Sequence, residues 1–196
     1  MKTLVKKNFA NWLTISRIIL IVPLLTFLII SYYYKAYNSY FSWPISFFLL
    51  AFFIFLLASF TDFLDGWFAR KYKTVSNFGK IFDPIADKIL VASVLISFVA
   101  MNITPWYLVI IFFLRDISVD GLRIFAASKN IVVAASFWGK LKTVLQIIAI
   151  SVCFLCAPLI INSLNYWLIN LPLILASLVS LFSGILYIKQ ILSKIF

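Results

Sequence analysis

The sequence predicts an all-α integral membrane protein with six transmembrane helices and both termini cytoplasmic, and three observations carry that prediction. The 196 residues are 64% hydrophobic and only 12% charged, with a mean hydropathy of +1.09, too little polar surface to coat a soluble globule of this size. Apolar runs near 12–34, 41–62, 81–101, 105–127, 141–161 and 166–189 are each long enough to cross about 30 Å of hydrocarbon at about 1.5 Å per helical residue. With the N-terminus inside, the outer loops near 35–40, 102–104 and 162–165 hold one basic residue, Lys35; every other Lys and Arg falls inside or at an inner helix end. That is the positive-inside asymmetry. The excess of 17 Lys+Arg over 6 Asp+Glu therefore reports topology, and no nucleic acid is expected as a partner.

The first helix follows a basic stretch, residues 1–10, in which Lys2, Lys6 and Lys7 alternate with Leu4, Val5 and Phe9. It reads either as a short interfacial segment drawn to anionic lipid or as an orienting tail. Arg17 interrupts what would be a signal-peptide core and no small-residue cleavage site follows, so the helix is expected to be uncleaved. Helix two is the run Phe41 to Phe60 followed by "TDFLDGWFAR"; the short polar "KYKTVSN" then turns the chain into helix three at the same, cytoplasmic, surface. Helix four carries "LRDISVDGLR" and helix five opens with "WGKLKTVLQIIAI". Cys153 and Cys156 lie inside an apolar span of a chain without histidine, and read as packing or lipid-facing residues. Helix six is plainly apolar. With no internal repeat, low-complexity tract or linker, residues 1–196 read as a single membrane domain.

All six acidic residues are aspartates, Asp62, Asp65, Asp83, Asp87, Asp116 and Asp120, confined to the middle third of the chain. A charge at the centre of a membrane helix costs about 2.5–3.5 kcal/mol, so such a cluster must be paired, metal-bound or close to water. Asp62 and Asp65 are three apart and Asp83 and Asp87 four apart, so each pair projects from one helix face. The short connection brings the pairs together. Four carboxylates repel unless neutralised, and an all-oxygen ligand set without Cys or His suits two hard divalent cations, Mg²⁺ or Mn²⁺. Two metals at one site suit displacement at phosphorus. Gly66 and Ala69, on the face of Asp62, leave room for a ligand or pack helices closely, and Arg70 can reach a phosphate.

The spacing Asp62, Asp65-Gly66, Ala69-Arg70, Gly79, Asp83, Asp87 resembles the CDP-alcohol phosphatidyltransferase signature at all eight positions. The resemblance implies that the four aspartates bind two divalent metals around the diphosphate of a CDP-linked lipid, that Asp87 deprotonates the attacking alcohol, and that Gly66, Ala69, Arg70 and Gly79 belong to the CDP-lipid site. It implies six transmembrane helices and a homodimer. Asn11, Thr14 and Arg17 are expected either near the nucleotide or its diphosphate or as capping and orienting residues.

The acceptor must be read from the flanks. "NWLTISR", "LRDISVDGLR" and "WGKLKTVLQIIAI" are similar to the bacterial branch of the family that makes phosphatidylglycerophosphate from CDP-diacylglycerol and glycerol 3-phosphate, apart from Asp116, where that branch commonly has glutamate. Residues 152–196 match in hydropathy alone. Arg115, Asp116, Asp120 and Arg123 fall within about 140° of one another on a helix, making a polar face. An acceptor bearing a phosphate of about −2, next to a diphosphate, calls for extra cations, which Arg115, Arg123, Lys140 and Lys142 supply unless they serve internal salt bridges or topology. Rival readings keep the chemistry with inositol phosphate, serine or phosphatidylglycerol as acceptor, or replace it with divalent-cation transport; acids at one membrane surface argue against a transport pathway.

Overall fold

The computed structural model describes the backbone of residues 2–37, 45–72, 77–129, 137–160 and 163–195, and side chains at 15–34, 45–61, 85–129, 137–160 and 163–193. Among the described residues there are six α-helices, one 3-10 turn and no strand. Three described segments, Ile15–Tyr34, Phe137–Leu159 and Ser163–Ser193, are long and apolar enough to cross a membrane, and Ile45–Thr61 is a shorter apolar helix. Large apolar side chains face outward along them; on the last helix Leu164, Leu168, Leu171, Leu175, Leu178 and Ile185 are all exposed. A stripe of that size is a liability in water and a lipid contact in a bilayer.

The chain divides into two compact units, Met1–Met101 and Asn102–Phe196. The first contains α1 (Lys2–Tyr37), α2 (Ile45–Tyr72) and α3 (Asn77–Ala100), with α1 packed on both others. α1 runs unbroken from Lys2, so the basic stretch belongs to its first turns; neither Gly nor Pro precedes Pro23 to stop it. Its buried stripe is Arg17, Ile21, Leu24, Leu28 and Ser31, spaced four, three, four and three, the spacing of one helix face. Phe48, Ala51, Phe55 and Ala58 of α2 and Ala86, Leu90, Val94 and Phe98 of α3 complete the core. Phe27 stacks on Phe47 at 6.1 Å and Phe48 lies 6.2 Å from Phe98. The start of α2 is thus held beside the later parts of α1 and α3.

In the second unit α6 (Ser163–Ile195) packs against both α4 (Trp106–Ser128) and α5 (Phe137–Cys156), which ends in the 3-10 turn Ala157–Leu159. Asn102, with φ 56°, turns the chain toward α4. Buried Asn170 donates to the Ile103 carbonyl at 2.8 Å and to Tyr166 at 2.9 Å, fixing α6 to that turn. The inward face of α6 changes character along its length. Ile169, Leu173 and Ala176 give way to Ser177, Ser180 and Ser183, then to Tyr187 and Ile191. A run of small residues lets another element approach closely. What approaches is a pair of arginines.

Candidate active site

In the first unit the three helices alternate in direction, because the aromatic contacts fix one end of α2 beside the far ends of its neighbours. The last turns of α2, which carry positions 62, 65, 66, 69 and 70, therefore lie at the same end as the first turns of α3, with positions 79, 83 and 87, and as Arg17 of α1. Helical register extends the buried stripes toward the motif. On α2 the series 48, 51, 55, 58 continues to 62 and 65; on α3 the series 98, 94, 90, 86 continues back to 83 and 79; on α1 position 14 follows 17. Arg17 is fully buried, and Asp87 is half-buried. The side chains of Asn11, Thr14, Asp62, Asp65, Gly66, Ala69, Arg70, Gly79 and Asp83 lie outside the described residues. Among the described residues no three acidic, Cys or His side chains form a metal-binding group. The donor types themselves, four carboxylates in a chain without histidine, fit a hard divalent ion.

In the second unit the polar face of α4 meets α5 and α6. Asp116 accepts two hydrogen bonds from Lys142, at 3.0 and 2.8 Å, and one from Arg115 Nη1 at 3.0 Å. The side chains are 20%, 6% and 12% exposed respectively, so among the described contacts two cations meet one anion in a largely dry setting. Lys142 Nζ also sits 5.7 Å from the Phe112 ring, a favourable place for an ammonium. Arg115 turns another edge to α6: Nε donates to the Ser180 carbonyl at 3.3 Å and Nη2 to the Ser183 hydroxyl. About two turns further along α4, Arg123 Nε donates to Tyr187 Oη at 2.9 Å and the guanidinium lies 5.0 Å from that ring. Arg123 and Lys140 are exposed and Asp120 is half-buried. Thr143 bonds back to the Gly139 carbonyl at 3.3 Å, and Gln146 is buried.

Of the four basic residues expected at the acceptor site, then, Arg115 and Lys142 share one carboxylate, whereas Arg123 and Lys140 reach the surface. The α6 contribution was not foreseen. Ser180, Ser183, Gly184 and Tyr187 hold both arginines, and the available signal was a set of small and polar residues at helical spacing inside an otherwise apolar span.

The backbone places the positions of both aspartate pairs at one end of the first unit, and within the second unit Arg115 and Lys142 converge on one carboxylate. The chain belongs to the CDP-alcohol phosphatidyltransferase family, whose model matches residues 7–183. It is similar to the CDP-diacylglycerol–glycerol-3-phosphate 3-phosphatidyltransferase of Mycoplasma genitalium, at 38% identity over 97% of this chain and 86% of the relative. The protein of the same name from Mycoplasma pneumoniae is also 38% identical, over 97% and 90%. That of Bacillus subtilis is 43% identical over 61% of this chain and 58% of its own length.

Proposed function

We propose that the chain transfers the phosphatidyl group of CDP-diacylglycerol to glycerol 3-phosphate, releasing CMP and forming phosphatidylglycerophosphate. It does so as a six-span, single-domain homodimer of the cell membrane with its site open to the cytoplasm. What supports this most is the eight-residue signature, carried by the last turns of α2 and the first turns of α3 at one end of their unit. The names of relatives that align over nearly the whole chain support the acceptor.

Asp87 takes the proton from the acceptor's 1-hydroxyl. The hydroxyl oxygen bonds to the lipid-side phosphorus as that phosphorus loses its bond to CMP. Gly66, Ala69, Arg70 and Gly79 line the nucleotide end of the CDP-lipid, with Asn11, Thr14 and Arg17 beside them. Arg115, Lys142, Arg123 and Lys140 hold the acceptor's phosphate, and Asp116 spaces the first two so that they do not repel each other in the dry state. Divalent-cation dependence is a feature of the family; Asp62, Asp65, Asp83 and Asp87 would hold two such ions, Mg²⁺ or Mn²⁺, whose charge offsets that of the diphosphate. The acyl chains remain in the bilayer.

CMP release by purified protein in detergent, with CDP-diacylglycerol and Mg²⁺ or Mn²⁺, is measured against glycerol 3-phosphate, serine, inositol, inositol phosphate and phosphatidylglycerol. Turnover with glycerol 3-phosphate alone is expected. Turnover with another acceptor instead overturns the assignment of the basic residues, and no turnover by folded protein overturns the transferase reading.

A further inference from the structure

The contacts of Arg115 point beyond the residues that touch a substrate. Ser183 donates its own hydroxyl proton to the Ser180 carbonyl at 3.2 Å, which leaves an oxygen lone pair for Arg115 Nη2. The same Ser180 carbonyl accepts from Arg115 Nε. With Nη1 on Asp116, all three guanidinium nitrogens are held. These bonds account for three of five N–H donors, and by valence one remains on each terminal nitrogen, the number a phosphate takes in a forked contact. Gly184 completes the cradle. A Cβ there would stand 3.1 Å from Arg115 Cγ, so the arginine would have to shift by a few tenths of an ångström while held at three nitrogens.

We propose that Ser183 and Gly184 of α6 are positioning residues that set the affinity for the acceptor's phosphate through Arg115, without touching substrate. The proposal rests on the reading of Arg115 as an acceptor-phosphate ligand. On this account α6, apolar along most of its length, carries serines at 180 and 183 and a glycine at 184 because an arginine must be aimed there. A purely structural role would place the loss in stability. A positioning role places it in the KM for one substrate.

The test uses the full chain in detergent, with the KM for glycerol 3-phosphate, the KM for CDP-diacylglycerol and the thermal midpoint measured for Ser183→Ala, Ser183→Thr and Gly184→Ala. Ser177→Ala, which alters a buried serine of α6 bonded only to the Ile174 carbonyl among the described contacts, is the control. Loss of one bond to a charged group predicts a rise in the glycerol 3-phosphate KM of about 10-fold or more for Ser183→Ala and Gly184→Ala. The CDP-diacylglycerol KM is expected to change less than about twofold, Ser183→Thr to retain most of the affinity, and the control to match wild type. Ser183→Ala removes a single atom and decides the matter if Gly184→Ala does not fold. An unchanged acceptor KM in folded variants, or equal rises for both substrates, overturns the positioning role. If wild type itself does not turn over glycerol 3-phosphate, it is the underlying functional reading that fails.

Discussion

Asp116 offers the sharpest energetic prediction, because a single carboxylate separates two cations in a nearly dry setting. Its oxygens lie 2.8 and 3.0 Å from Lys142 Nζ and 3.0 Å from Arg115 Nη1. Lys142 is 6% exposed and Arg115 12%, so neither solvent nor salt screens the pair well. Asp116→Asn keeps an oxygen acceptor and removes the charge. Bonds to charged groups are worth about 1.5–3 kcal/mol each, and breaking a buried pair by altering one partner costs about 3–5 kcal/mol. Because Asp116 is itself one-fifth exposed and asparagine still accepts, a loss near the lower bound, about 3 kcal/mol, is expected. Denaturant unfolding in detergent, followed by the fluorescence of the six tryptophans, measures it. Lys142→Met removes the cation that faces Asp116 with little change of volume. The double variant should therefore lose less than the two single losses combined, by about 2 kcal/mol. Strict additivity, or an Asp116→Asn variant as stable as wild type, refutes the triad as a coupled unit.

Three further expectations follow from the same structure. Asn170→Ala leaves the Ile103 carbonyl without its donor and should lower stability by about 1–3 kcal/mol in the same unfolding assay, with both KM values unchanged. Tyr187→Phe keeps the ring under Arg123 and removes only the hydroxyl that accepts from Nε; the glycerol 3-phosphate KM should rise about 3-fold to 10-fold, seen in initial-rate kinetics. Chelation with EDTA should abolish CMP release, and Mg²⁺ or Mn²⁺ should restore it where the larger Ca²⁺ does not.

The six helices were legible because a membrane helix has to satisfy every backbone group internally and announces itself as a long apolar run. Their ends were less so. Apolar counting ends helix two near 62, yet α2 continues to Tyr72, since no proline follows to stop it and a single glycine, Gly66, is tolerated inside a helix. The aspartate motif was legible from spacing alone, and the described stripes of α1, α2 and α3 run in register toward it. The partners of the arginines were not. Which partners Asp116 and Arg115 take depends on which helices pack together: Lys142 lies 26 residues from Asp116, and Ser183 lies 68 residues from Arg115. No local pattern on α4 encodes α6. The small-residue run of α6 was visible, but in a membrane helix such runs most often serve helix packing, so its role emerged only with Arg115 in place.

The central claim is that this chain joins glycerol 3-phosphate to the phosphatidyl group with Asp87 as the base. Incorporation of radiolabelled glycerol 3-phosphate into lipid, in the presence of CDP-diacylglycerol and Mg²⁺, tests it most directly for wild type and Asp87→Asn. The account predicts label in a phosphatidylglycerophosphate band for wild type and at least about 100-fold less for the variant, with the variant still folded. Label in lipid at an undiminished rate without the Asp87 carboxylate, or no labelled lipid from wild type, would contradict it.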